Sequence, residues 1–165
     1  MSPMPGAGLG ADDERWLVKA VRLATANVAA GGGPFGAVVV RDGRVLGRGQ
    51  NRVTRDNDPT AHAEVQAIRA ACREIGDFAL TGAALFSSCE PCPLCLAASL
   101  WARVGRVVYA ADRDDAARAG FDDRAFYDLL ARDRSTWPMP VVAHRVDGCE
   151  APMDAWLAHE GRVAY

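Results

Sequence analysis

Charge of a single sign is missing from this chain. Its 19 basic and 21 acidic residues are interspersed and leave a formal net charge of −2 over 165 residues. A nucleic-acid binder carries a basic stripe or patch, so this balance argues against RNA or DNA as a partner. Lysine is nearly absent, Lys19 being the only one; no function attaches to that bias. Long apolar runs are lacking too, so neither a membrane-spanning helix nor an apolar leader at the start of the chain is expected. Residues 1–11 are rich in Gly, Pro and Ala and are expected to form a disordered tail. The five cysteines are too few and too uneven in number for a disulfide framework. In the reducing cytoplasm expected for such a chain, paired cysteines hold metal more often than they bond to each other.

What is present is core-forming material. Half the residues are hydrophobic, enough for a single domain over residues 12–165 that buries about 70% of the unfolded chain's surface. Asp12 stands as a helix cap before an amphipathic stretch (Trp16, Leu17, Ala20, Val21, Leu23, Ala24) that ends at Gly31, Gly32 and Gly33. Two strand-like runs, 35–40 and 45–51, flank Asp42-Gly43, a hairpin signal. Thr60 is placed to cap a helix over 61–75 with Val65, Ile68 and Cys72 on one face. Further strands are expected at 83–87 and 106–111, a short one at 141–144, and helices at 92–103, 122–132 and from Pro152 onward. Strands alternating with helices after an opening hairpin imply a mixed α/β sheet covered on both faces.

Chemistry concentrates in two places. His62-Ala63-Glu64 precedes Cys92-Pro93-Leu94-Cys95 by about thirty positions. Zinc prefers nitrogen and thiolate ligands in a tetrahedron, and a catalytic site commonly uses three protein ligands and keeps the fourth position for water. His62, Cys92 and Cys95 supply three. Two cysteines at this spacing in a first helical turn put both sulfurs on one side, where the helix N-terminus favours thiolates. Glu64 favours catalysis over structure: a carboxylate beside an acidified water can move its proton, and a purely structural zinc has no use for one.

Other readings of these residues stand beside this one. The Cys pair alone would suit a thioredoxin-like redox motif, but His62 and Glu64 would then be unexplained. A structural zinc site would need a fourth ligand, for which Cys89 is the nearest candidate. Cys72 falls on an apolar helix face, Cys149 is a lone thiol, and His144 and His159 suit surface or packing roles. The pairs Asp114-Asp115 and Asp122-Asp123 suit helix caps and solvated charge.

The strings NDPTAHAEVQAIRAAC and SSCEPCPLCLAASLWAR, preceded by PFGAVVVRDGRVLGRGQN, resemble the cytidine deaminase superfamily, whose signature they carry. The later run AGFDD, together with the terminal tyrosine, is similar to its bacterial guanine-deaminating branch. The resemblance implies a three-layer α/β/α fold around a mixed five-stranded sheet, and hydrolytic deamination of guanine to xanthine and ammonia. It makes His62, Cys92 and Cys95 the ligands of a Zn2+ ion, and Glu64 the proton shuttle. Asp123 would read the guanine N–H edge and assist proton transfer. Phe35 would stack on the base, Asn51 and Ala63 would bind it, and Trp101 would line the pocket. It further implies a cytoplasmic homodimer in which residues from about 150 to 165 are exchanged, placing Tyr165 over the partner's site. Related small-molecule aminohydrolases acting on guanosine, cytosine or an aminotriazine would share the metal apparatus. An adenosine deaminase acting on tRNA would in addition need a basic surface.

Overall fold

Apolar runs bounded by turns become the strands of a mixed sheet. The structure, a computed structural model, describes residues 9–165; of the disordered tail expected over residues 1–11, residues 1–8 lie outside them, and Gly10 is bonded to the start of the first helix through Asp13 N–H at 3.0 Å. Strand β1 (Gly36–Arg41) is almost wholly buried and pairs antiparallel with β2 (Arg44–Gln50). The connecting Asp42-Gly43 has φ of 51° and 72°, the left-handed pair that a two-residue hairpin turn requires. Strand β3 (Ala84–Cys89) runs antiparallel to β1 on its other side, and β4 (Arg106–Ala111) runs parallel to β3, giving the order β2-β1-β3-β4. The parallel pair needs a crossover, which helix α4 (Pro93–Trp101) provides.

Both faces of this sheet are covered, as the alternation of elements implies. On one face Val38, Val40 and Phe86 meet Trp16, Leu17 and Leu23 of helix α1 (Asp13–Ala29). On the other, Ala37, Val39, Leu46 and Leu85 pack with Ala67, Ile68 and Ala71 of helix α3 (Ala63–Ile75). A short helix α2 (Val53–Asp56) joins β2 to α3. Asp12 occupies the N-cap position of α1, but its side chain makes no cap bond. Its neighbour Asp13 is buried instead, accepting from Gly10 N–H at 2.7 Å and from both Arg106 guanidinium nitrogens at 2.7 and 2.6 Å. The Arg106 hydrogen bonds hold the Asp13 carboxyl below its ordinary range against the opposing effect of burial.

After β4 come α5 (Arg113–Arg118), α6 (Arg124–Leu130), a 3-10 turn (Arg134–Thr136) and α7 (Ala151–Ala158). The chain divides between Tyr127 and Asp128 into two compact units, the sheet belonging wholly to the first. Among the described residues the sheet has four strands and not the five implied by resemblance. Residues 141–144 are exposed, form no regular element and pair with no strand. Valines alone do not make a strand without a ladder partner for their N–H and C=O groups. No helix among the described residues is long and apolar enough to cross a membrane.

Helix α3 rests on β2 with no side-chain layer between them at two points. A Cβ on Gly47 would lie 2.3 Å from Ala67 O, and one on Gly49 would lie 1.9 Å from Ala63 O. Neither obstacle is a flexible side chain, so the helix itself would have to lift. Gly49→Ala is therefore expected to destabilise the chain by about 1–3 kcal/mol, read as a lower urea midpoint at unchanged slope. An unaltered midpoint would refute this close seating.

Candidate active site

Two helix N-termini present the principal donors. His62 is the N-cap residue of α3 and Cys92 that of α4, both with extended backbone (φ −69°, ψ 152° and φ −68°, ψ 168°), and neither side chain caps its helix. Such positions ordinarily hold Ser, Thr, Asp or Asn, whose loss costs about 1 kcal/mol; here the cap is replaced by a potential ligand. Thr60, expected to cap α3, instead donates from its N–H and its hydroxyl to Asp58 Oδ1 at 2.8 and 2.7 Å, and the helix begins at Ala63. Pro93 opens α4 at a position where a missing N–H costs nothing.

The three donors converge. His62 Nδ1 lies 3.4 Å from both Cys92 Sγ and Cys95 Sγ, and the two sulfurs are 3.6 Å apart. Zinc at about 2.3 Å from sulfur and about 2.0–2.1 Å from nitrogen in a tetrahedron sets S···S near ~3.8 Å and S···N near ~3.5 Å. The observed triangle fits. Among the described residues the metal-capable cluster comprises these three alone. Cys89 stands apart: its thiol donates to Asp112 O at 3.5 Å, and burial pushes it up to about 11. The fourth ligand that a structural zinc site needs is therefore not supplied by Cys89.

Glu64 is buried in the first turn of α3. Ser87 Oγ donates to its Oε1 at 2.9 Å, while Cys95 Sγ lies 3.3 Å from its Oε2. Burial raises the Glu64 carboxyl, against the Ser87 hydrogen bond. The hydrogen bond from Cys95, reinforced by His62, pulls the Cys92 thiol down to about 4. Its bond to Cys92, then burial and Glu64, push the Cys95 thiol up, and the contact with Cys92 raises His62. Two sulfurs, a carboxyl and an imidazole thus crowd together, with Cys95 and Glu64 buried and His62 and Cys92 half-buried. Such a concentration of donors is costly unless a further positive charge sits among them.

His62, Glu64 and Cys92 form one wall of a cavity of about 700 Å³ lined wholly by the first unit, including Phe35, Asn51, Phe121 and Asp123. That volume lies within the range of small-molecule sites. Phe35 and Phe121 meet edge to face, their ring centroids 5.0 Å apart at 85°. Asn51 Oδ1 accepts from Val53 N–H at 3.2 Å, which leaves its NH2 as the donor toward the cavity. Asp122 and Asp123 divide their roles. Asp122 accepts from Arg124 N–H at 3.2 Å and pairs with the Arg124 guanidinium, as a capping residue does. Asp123 Oδ1 is buried without a hydrogen-bond partner. Burial and then the Cys92 charge raise the Asp123 carboxyl.

Two expected substrate contacts, Ala63 and Trp101, are not among the residues that line this cavity. Ala63 is fully buried in the core beneath β2 and does not line the cavity; only its backbone N–H, at the open end of α3, faces no helical partner. Trp101 ends α4 a full helix length from Cys92, is 66% exposed, and does not line the cavity. Tyr165, expected over the site of a partner and not over its own, belongs to the second unit and is 72% exposed. Two contributors escaped the sequence reading. Phe121 adjoins the Asp pair, which was its only signal. Asn27 is fully buried, donating from Nδ2 to Gly33 O at 2.8 Å and Asn51 O at 2.7 Å. A polar residue on the Ala20–Ala24 stripe of α1 was the available sign of it.

Residues 11–111 match the model of the cytidine and deoxycytidylate deaminase zinc-binding region. The chain is 49% identical over 153 residues to guanine deaminase of Bacillus subtilis, covering 92% of this chain and 98% of that protein. The X-ray structure of guanine deaminase from Bacillus subtilis superposes with a TM-score of 0.88 at 46% identity, again over 92% and 98% of the two chains. A guanine deaminase from Nitrosomonas europaea is 30% identical with a TM-score of 0.64, covering 74% of this chain and 79% of that one. A tRNA-specific adenosine deaminase of Agrobacterium fabrum is 50% identical, but over only 47% of this chain and 51% of its own length. The donor triangle at two helix ends and the family match over the same residues agree: the chain belongs to the cytidine and deoxycytidylate deaminase zinc-binding family.

Proposed function

We propose that this chain hydrolyses guanine to xanthine and ammonia, with His62, Cys92 and Cys95 holding a zinc ion. The observation that carries the substrate is the buried, partnerless Asp123 Oδ1 in the cavity. Guanine offers N1–H and an exocyclic amine as donors to such an acceptor, whereas adenine presents its N1 lone pair and would be repelled. A site built to hydrogen-bond one edge rejects the wrong base strongly, by about 10⁴-fold or more, because buried polar groups are left unpaired. The similarity to the Bacillus subtilis guanine deaminase over 92% of the chain supports the same reading.

Bound zinc acidifies a water molecule, to a pKa of about 7 in such sites. The chain's own groups do the rest. Asn51 NH2 and Asp123 orient the base, with Phe35 and Phe121 as its apolar walls. Glu64 takes a proton from the water that attacks C2 and delivers it to N3. The proton of the new C2 hydroxyl then passes by way of Glu64 to the amino nitrogen, the C2–N bond breaks to release ammonia, and the C2 carbonyl of xanthine forms. Ser87 keeps one Glu64 oxygen occupied at 2.9 Å, so that the shuttle works through the other.

We also infer a cytoplasmic homodimer in which residues 150–165 close the site of the second copy, with Tyr165 over the base. Its support is the resemblance of the chain's ending, together with a cavity of about 700 Å³, roomier than a single base needs.

Three measurements test these readings. Ammonia release from guanine, guanosine, adenine, cytosine and cytidine is expected to be fastest with guanine; equal or faster release from guanosine would overturn the free-base assignment, and from adenine the Asp123 argument. Glu64→Gln is expected to keep one zinc per chain by elemental analysis while kcat falls by about 10²–10⁴-fold. A kcat within threefold of wild type would remove Glu64 from proton transfer. Deleting residues 160–165 is expected to lower kcat/KM for guanine at least ~10-fold with zinc retained, and unchanged kinetics would rule out the tail as a cover.

A further inference from the structure

The segment between β4 and α6 carries Asp123 and Phe121, and one side chain ties it to the loop that presents Cys92. Arg113, the first residue of α5, donates to Glu90 from its backbone N–H at 3.1 Å and from Nε at 3.0 Å, and a further guanidinium nitrogen reaches the second Glu90 oxygen. Glu90 lies two residues before Cys92 and lines the cavity. The same guanidinium lies over the Tyr127 ring, 4.1 Å from its centroid. Tyr127 Oη in turn donates to the carbonyl of Pro91, a fully buried residue. Arg113 is therefore the keystone of a closed loop of contacts: Glu90 and Pro91 on one side, Tyr127 on the other.

Tyr127 stands one helical turn after Asp123, whose carbonyl accepts from Phe126 N–H at 3.0 Å as the first bond of α6. Fixing Tyr127 against Pro91 thus fixes the turn from which the Asp123 carboxylate projects. The start of α5 is rigid for its own reasons. Asp112 accepts from the N–H groups of Asp114 and Asp115 at 3.0 and 2.9 Å, and Asp115 returns a bond to Asp112 N–H at 3.2 Å, a reciprocal cap. Nothing in the chemistry of deamination requires a cation at position 113, and Arg113 is not among the cavity-lining residues.

We infer that Arg113 is a positioning residue that sets Asp123 at its working distance from the metal-binding loop, through the Glu90 fork and the stack on Tyr127. The inference rests on the reading of Asp123 as the group that recognises the base. A planar fork and a stacking face are properties of arginine that lysine lacks at equal charge, so the two cations are not interchangeable here.

A double-mutant cycle tests the coupling. Arg113→Gln is expected to lower kcat/KM for guanine about tenfold in the wild-type background and less than twofold in an Asp123→Ala background. Arg113→Lys should be as impaired as Arg113→Gln, and Tyr127→Phe should shift in the same direction by less. Full losses in both backgrounds would make Arg113 merely structural, and restoration by lysine would reduce its role to charge. Independently of activity, amide exchange of residues 124–127 should accelerate at least ~10-fold in Arg113→Gln, with β1 and β3 unchanged; exchange within twofold of wild type would overturn the inference. A wild-type chain that leaves guanine intact would instead strike the functional proposal, and the exchange result would still judge the clamp.

Discussion

Everything in the first unit serves the meeting of two helix ends. At His62 and Cys92 the backbone leaves extended geometry and begins to coil, and at both points the side chain that should satisfy the open N–H groups turns toward the other helix. The helices thereby give up cap stabilisation in order to aim a nitrogen and two sulfurs at a common point. The positive ends of both helices favour the thiolate form of Cys92 and make the position hospitable to anionic donors. Such a concession persists because the surrounding core over-determines it: α3 is held by the sheet, and α4 is held as the crossover between two parallel strands.

The spacing of the donors made this site legible before any coordinates. A His-x-Glu run and a Cys-x-x-Cys pair each sit within one helical turn, so their geometry is local, and local geometry survives whatever the tertiary fold does. The hairpin was equally plain, since Asp42-Gly43 can hardly be anything else between two apolar runs. What failed was either non-local or borrowed. The cap at Thr60 was misjudged because Asp58 competes for both its donors, and the true start was taken by a residue with no capping chemistry. The fifth strand came from resemblance and not from the residues. Val141 and Val142 offered apolarity but no ladder partner.

The acidic pairs show where sequence reasoning has to stop. Asp122 and Asp123 are adjacent, identical, and both plausible as first-turn acids. A one-residue difference in direction gives Asp122 the Arg124 contacts and leaves Asp123 with a desolvated, unmatched oxygen. Only packing could distinguish the capped acid from the one reserved for a ligand. Asn27 is the complementary case: its neighbours Ala20 and Ala24 mark a buried stripe, and the amide on that stripe ties together Gly33 and Asn51, both of which line the cavity.

The seating of α3 on Gly47 and Gly49 has a consequence for how this chain can change over time. Because peptide meets peptide there, the height of the helix above the strand is set by covalent geometry and not by the shape of any intervening rotamer. Leu46, Ile68 and their neighbours can therefore drift in volume while the imidazole and the acid at the front of that helix keep their station. The architecture separates the freedom of its interior from the exactness of its chemistry.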